Sequence, residues 1–337
     1  MTAAKKLGSQ SVNFLNPPVI SAWASIVGPK EGQGPWAADF DKILDDYLYA
    51  ESSWEKAENK ILQETVQTAV AKVGLNAADA ELLLAGDLLN QIISANYAAR
   101  ELNIPFFGLY GACSTMGESL LLAAMLTEAG FFERVVAATC SHHYSAERQF
   151  RAPVEQGVQS SPSSQWTATA AGAILVQASG NGPRITCATI GKVTDMGITD
   201  TANMGAAMAP AAANTIKAHF EDTGRAPDYY DLVVTGDLGA VGMNLAKQLF
   251  IQQGLMPQPN YSDCGVLLYD GLPEINAGGS GCGCSACMLC GPLLRKMSRG
   301  EINRLLFVAT GALMSPISSF QGESIPGIAH AVAIENV

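Results

Sequence analysis

The string Gly-Asp-Leu closes a short apolar run twice in this chain. It does so at Gly86-Asp87-Leu88 after Leu82 to Leu84, and again at Gly236-Asp237-Leu238 after Leu232 to Val234. Around each copy the same order of segments recurs. In the first half an extended apolar run at Val19 to Val27 precedes a periodic helical segment at Trp54 to Val73. The strand Leu82 to Leu84, a strand entering a helix near Cys113, a strand at Arg134 to Thr139 and a strand at Gly172 to Val176 follow. Ala178 to Pro183, rich in Gly, Ser and Asn, is the best linker. Beyond it the series restarts, with a strand at Ile185 to Val193, a mostly helical Ala-rich segment at Asn203 to Phe220 and the strand Leu232 to Val234. A Gly/Cys-rich stretch at Gly278 to Cys290 then leads into a helix, and strands at Leu305 to Thr310 and Ala329 to Ile334 close the chain. Asp87 and Asp237 lie 150 residues apart, while Cys113 and Cys284, like Thr139 and Thr310, lie 171 apart. Six elements recurring in order predict a duplicated, layered α/β fold with halves at 1–178 and 179–337.

Composition narrows what such a fold can do. Of 337 residues 48% are hydrophobic and only 15% charged, which leaves little polar material for the surface and predicts an oligomer or a broad partner interface. Lys and Arg number 20 against 31 Asp and Glu, a net charge of −11, which excludes non-specific nucleic-acid binding. An anionic ligand would have to find local donors such as helix N-termini. The apolar stretch around Ser119 to Leu126 is far shorter than the roughly 18 residues of a membrane span. Met1 to Gln10 is polar, and no apolar segment of signal-peptide type precedes Pro17 and Pro18. The expected setting is therefore cytosolic, with the eight cysteines reduced.

Cys113 stands in Tyr110-Gly111-Ala112-Cys113-Ser114-Thr115, where a strand turns into a helix. At a helix N-terminus a thiol meets unpaired N–H groups and a positive dipole end, which lower its pKa and suit it to act as nucleophile or anion-facing donor. A small apolar filler is the alternative. Asp87 and Asp237 end equivalent strands, the place where open α/β sheets bind ligands; each is either a site residue or a cap for the following helix. Cys282, Cys284, Cys287 and Cys290 spell a metal-like spacing, although Ala286, Met288 and Leu289 between them suit a buried helix, so no metal is expected. His142 and His143 follow a strand end. Arg148 and Arg151 supply forked donors for a dicarboxylate, or else a subunit contact. Ser315 and His330 lie near the closing loops of the second half.

The strings GPKEG, AGDLLNQ, GACST, SHH-SAERQFR, TGDL, DCG, AGGSGC-CSA, ATGAL and ESIP-IAH run from Gly28 to His330. Together they resemble the stage V sporulation protein AD family, within the thiolase and ketoacyl synthase-like superfamily. That resemblance implies a thiolase-like α-β-α-β-α arrangement of two pseudo-symmetric halves, with no cofactor and no established turnover. It implies binding of dipicolinic acid, with or without calcium, and support of its uptake into the developing spore. It also implies a homodimer peripheral at the spore inner membrane, beside membrane proteins of the same operon. Condensing enzymes of the superfamily pair their Cys with a His after the second-half strand and an Asn or His in the Gly-rich motif. Here Gly236-Asp237 and Gly281-Cys282-Gly283-Cys284 stand at those places. The expected ligand-binding set is Cys113, Asp237, Asp87, Cys282, Cys284, His142, Arg148, Arg151 and Ser315. Two other readings remain open: a Cys-dependent acyltransferase with Asp237 in place of histidine, and an assembly subunit with a vestigial pocket.

Overall fold

The computed structural model of the chain describes residues 5–150, 161–255 and 259–337. The first half contributes β1 (Val19–Val27), α1 (Trp54–Ala71), β2 (Leu82–Gly86), α2 (Ile93–Leu102), β3 (Phe106–Gly108), α3 (Thr115–Glu128), β4 (Arg134–Ser141), α4 (His143–Phe150) and β5 (Ala170–Gln177). The second contributes β6 (Arg184–Thr189), α5 (Met204–Thr223), β7 (Leu232–Thr235), α6 (Gly239–Gln252), β8 (Tyr261–Asp263), α7 (Cys264–Leu268), α8 (Cys282–Met288), β9 (Arg304–Ala312) and β10 (Gly327–Glu335).

The strand order is β8-β7-β9-β10-β6-β1-β5-β4-β2-β3, and it reads alike from either end. From the centre outward each side has two antiparallel ladders followed by two parallel ones. Only Arg184↔Val19 joins β6 to β1 directly. β4, β5, β9 and β10 are apolar runs buried almost throughout, as strands covered on both faces must be.

The helices sort by hydrophobic pattern. In α1 the buried Ala57, Ile61, Leu62, Val66 and Ala69 make one stripe, the mark of a helix with a wet outer face. α1 and α2 cover the first-half strands, and α5 and α6 cover those of the second. α3 buries Met116, Leu120, Leu121, Ala123 and Ala124 and packs on β2, β4 and β5 of one side and on β9 and β10 of the other. α8 is buried at every residue and packs on β4 and β5. These two helices form the middle of five layers, α-β-α-β-α, and their N-termini meet where the site lies.

Two boundaries differ from expectation by more than a small shift at an element's end. The strand predicted over Ile185 to Val193 stops at Thr189, and beyond it Gly191 passes so close to Ala329 that a Cβ there would fall 1.7 Å from its carbonyl oxygen. The helix carrying the clustered cysteines is α8 only to Met288, after which a wide π-type turn at Leu289–Leu293 accommodates Pro292. Among the described residues no helix is long and apolar enough to cross a membrane.

Candidate functional site

Cys113 sits on a wound turn. Ala112 before it adopts a left-handed φ of 50°, a conformation that needs local support in a residue with a Cβ. Support comes from Thr115 Oγ1, which donates to the Ala112 carbonyl at 2.7 Å, and from Ser114 Oγ, which donates to that of Gly111 at 2.6 Å. From the other half β9 passes against this turn at Gly311, where a Cβ would lie 2.3 Å from the Gly111 carbonyl oxygen. Glycine is required there for the two halves to close on the thiol.

Asp237 faces that thiol from the end of β7. It is fully buried, and its carboxylate accepts from Thr310 Oγ1 at 2.8 Å, from the Gly281 backbone N–H at 3.0 Å and from Ser280 Oγ at 3.2 Å. The Cys113 thiol is a further donor. Burial raises the Asp237 pKa to about 6, a rise that these donors restrain. For Cys113 burial dominates, the Asp237 charge adds to it, and the thiol pKa is pushed well above its usual value. The lowering expected from the helix N-terminus is thus overridden by desolvation and a like-signed neighbour.

Asp87 and Asp237 do different work. Asp87 accepts from the backbone N–H groups of Leu89 and Ala95, both at 2.7 Å, and so caps α2. The corresponding turn in the second half is held by Asp263, which accepts from Thr235 Oγ1 at 2.7 Å, Leu238 N at 2.9 Å and Gly239 N at 3.0 Å. Asp237 is left to reach across to β9 and to the start of α8.

The cavity at Cys113 measures about 50 Å³, room for roughly three or four water molecules. Leu88, Phe150, Met204, Met208 and Met314 wall it, and Cys113, Thr167, Ser280 and Glu147 give it polar atoms. It adjoins an outer crevice of about 370 Å³, sharing Tyr110, Phe150 and Met314 with it and continuing past Leu89, Asn90 and Ser315.

Cys113 lines the inner cavity, and Ser315 lines the crevice while capping the short helix Pro316–Phe320. Asp237 and Cys282 lie just behind the inner wall; Cys282 packs with Cys113, Leu88 and Ala146, and its thiol meets the Cys140 carbonyl at 2.9 Å. The other candidates among the described residues point elsewhere. Cys284 packs in the core near Tyr269, one helical step round α8 from Cys282. His142 spends Nε2 on the Tyr47 carbonyl at 2.8 Å, and burial lowers its pKa to about 4. Arg148 pairs with Glu55 and lies 5.2 Å over the Trp54 ring. His330 receives the Gly191 N–H at 3.3 Å, and His143 stacks on Trp166 at 3.6 Å. Arg151 lies outside the described residues.

The four clustered thiols approach four separate carbonyls, those of Cys140, Gly236, Cys284 and Ala173, and among the described residues no set of three His, Cys, Asp or Glu gathers in metal-holding geometry. Thr310, Ser280 and Asp263 shape the site without having been singled out. Thr310 and Asp263 fall within the strings ATGAL and DCG, yet a hydroxyl in a strand and an Asp at a strand end carry no local signal of a partner. Buried Glu31 and Glu58 escaped for the same reason. Glu58 interrupts the apolar stripe of α1 and accepts from Ser145 Oγ at 2.6 Å. Glu31 accepts from Tyr269 Oη, and its pKa rises to about 7 by burial.

Comparison with known proteins agrees with this architecture. Among solved structures the chain is similar to 3-oxoacyl-[acyl-carrier-protein] synthase III from Aquifex aeolicus VF5, with TM-score 0.60 and 12% identity over 95% of this chain and 100% of that one. It is likewise similar to cerulenin-bound OleA from Xanthomonas campestris, with TM-score 0.61 and 12% identity over the whole of both chains. These likenesses establish the thiolase-like fold. In sequence the chain is 45% identical over 331 residues to stage V sporulation protein AD of Bacillus subtilis (strain 168), covering 98% of each chain. The family profile described as stage V sporulation protein AD matches residues 8–335, and the chain belongs to that family.

Proposed function

We propose that this sporulation protein is a non-catalytic binder of dipicolinic acid, pyridine-2,6-dicarboxylate, and that it supports uptake of that compound into the developing spore. The observation that carries the non-catalytic part is the Cys113–Asp237 pair. Where a condensing enzyme needs a base, this chain has a carboxylate already engaged by Thr310, Gly281, Ser280 and the thiol itself. Such a neighbour holds the thiol protonated, so the nucleophile is disarmed while the cavity is kept. Leu88, Phe150 and Met314 offer apolar faces to a planar ring lying from the inner cavity into the crevice. Family membership supports the choice of ligand.

The same reading makes the protein a homodimer, each chain built of halves 1–178 and 179–337, peripheral at the spore inner membrane beside membrane proteins of its operon, and binding the ligand with or without calcium. Calorimetric titration with dipicolinate tests it, with saturable heat and a raised melting temperature expected. Absence of both rejects it.

A Cys-dependent acyltransferase is the second reading, favoured by the left-handed Ala112 turn that presents Cys113 to the cavity. A thioester challenge followed by intact-mass measurement separates the two. A covalent acyl adduct on Cys113 with multiple turnover favours the enzyme.

A further inference from the structure

A continuous line of hydrogen bonds crosses the second half, from its last strand to the beginning of the chain. Arg225 Nη1 pairs with Glu335 on β10 at 2.8 Å and donates to Tyr230 Oη at 2.7 Å. Tyr230 Oη lies 2.6 Å from His219 Nε2, His219 Nδ1 lies 2.8 Å from Thr189 Oγ1, and Thr189 Oγ1 lies 2.7 Å from Ser11 Oγ. Ser11 Oγ then donates to Asp222 Oδ2 at 2.9 Å. Ser11, Thr189, His219 and Tyr230 are all buried.

The carboxylate end fixes the direction of every bond before it. A carboxylate can only accept, so the single Ser11 hydroxyl proton goes to Asp222, and Ser11 must accept from Thr189. Thr189, having given its own proton, must accept from His219 Nδ1. The opposite tautomer would draw the Thr189 proton to Nδ1 and leave two hydroxyl oxygens 2.7 Å apart with no proton between them. Burial, with the Arg225 charge adding to it, lowers the His219 pKa to about 3, so the ring is neutral. Its Nε2 therefore carries no hydrogen and accepts from Tyr230, which in turn accepts from Arg225.

Asp222 stands one turn beyond His219 at the end of α5, and what it holds is the N-terminal hairpin, Lys6–Leu7 with Ser11–Asn13. Besides the Ser11 hydroxyl it accepts the backbone N–H groups of Ser9, Gln10 and Ser11 at 2.9, 2.8 and 2.9 Å. From Ser11 to Val19 the chain runs antiparallel along β6, from Thr189 to Arg184. The hairpin thus lies at the far end of the seam where the first half meets the second. We propose that His219 is a positioning residue held as its Nδ1–H tautomer, and that the relay it completes latches the N-terminal hairpin onto β6.

The test uses the full chain with isotope-labelled histidine, in which NMR reads the protonation of each ring nitrogen; the His219 signals are those lost in His219→Gln. A protonated Nδ1 and a bare Nε2, unchanged between pH 6 and pH 8, are expected. An Nε2–H ring or an imidazolium overturns the proposal. The latch is read by deuterium exchange at the Ser9, Gln10 and Ser11 amides. Tyr230→Phe keeps the ring but removes the proton given to Nε2, three bonds up the line from Ser11, and those amides should exchange about three- to tenfold faster. Tyr229→Phe removes a bond of like kind to Glu335 that lies outside the line, and should leave them at the wild-type rate. Wild-type exchange in Tyr230→Phe, or an equal rise in Tyr229→Phe, overturns the latch. Should Tyr230→Phe fail to fold, the tautomer of the wild type decides.

Discussion

Thr310 and Asp237 are tied twice. The Thr310 hydroxyl accepts the Asp237 backbone N–H at 3.0 Å and donates to its carboxylate at 2.8 Å. Because the oxygen has one proton to give and its lone pair takes the N–H, the clamp holds both the backbone and the side chain of Asp237 in one geometry. Thr310→Val keeps the shape of the side chain and deletes both bonds, stranding a buried N–H and weakening the support of a buried carboxylate. A loss of about 1–3 kcal/mol in urea unfolding is expected, with weakened dipicolinate binding. Stability within a few tenths of a kcal/mol of wild type would mean that the clamp is redundant.

Cys113 should be a slow thiol. Its pKa is raised by burial and then by Asp237, so thiolate is scarce at neutral pH. Iodoacetamide labelling followed by peptide mass mapping should show Cys113 reacting more slowly than a free cysteine at pH 8. Asp237→Asn, by removing the charge, should speed it. The opposite order would show that the helix N-terminus dominates the thiol after all. Cys113→Ala should weaken ligand binding only modestly, by changing the shape of the cavity.

Glu31 makes the pH dependence of stability legible. Its carboxyl is fully buried, and its pKa in the fold is about 7 against an ordinary 4.5, so the native state binds a proton that the unfolded chain has released. The stability this contributes is complete below about pH 4.5 and is lost as pH rises through 7. Glu31→Gln mimics the protonated form. It should unfold at higher urea than wild type at pH 8, by on the order of 3 kcal/mol at most, with the difference gone near pH 5. An unchanged or lower midpoint at pH 8 would contradict the burial argument.

The outer edge of β3 has no strand partner among the described residues, and Phe107 on it is 58% exposed, with Tyr97 nearby on α2 at 46%. An open edge with an exposed aromatic ring is a template for pairing with another chain. Sedimentation of the wild type at micromolar concentration should show a dimer, and Phe107→Glu should shift it towards monomer. A wild type that sediments as a clean monomer would leave a different partner to cover this face.

Sequence alone determined the alternation of elements, because it is written in local periods. The bounds of β1 were legible to the residue, and those of β2, β4, β9 and β10 to within a few, since short apolar runs rich in β-branched residues and bounded by turn residues read as buried strands. The placing of Cys113 at a strand-to-helix turn was equally local. Only the tertiary structure decided which way each side chain looks and what it meets there. Cys282 and Cys284 are two residues apart on one helix, yet one reaches the cavity wall and the other the core, because a helix turns about 200° over that step. Asp87 and Asp237 end equivalent strands, yet one caps a helix and the other faces the thiol, since Asp263, from a different strand, had already taken up the turn. Arg148 was free to choose a ligand on paper; in the fold Glu55 and Trp54 stand nearer. Burial settled the chemistry, because the charge state of Cys113 and of Asp237 depends on how much water remains around them and on groups brought from the far half of the chain.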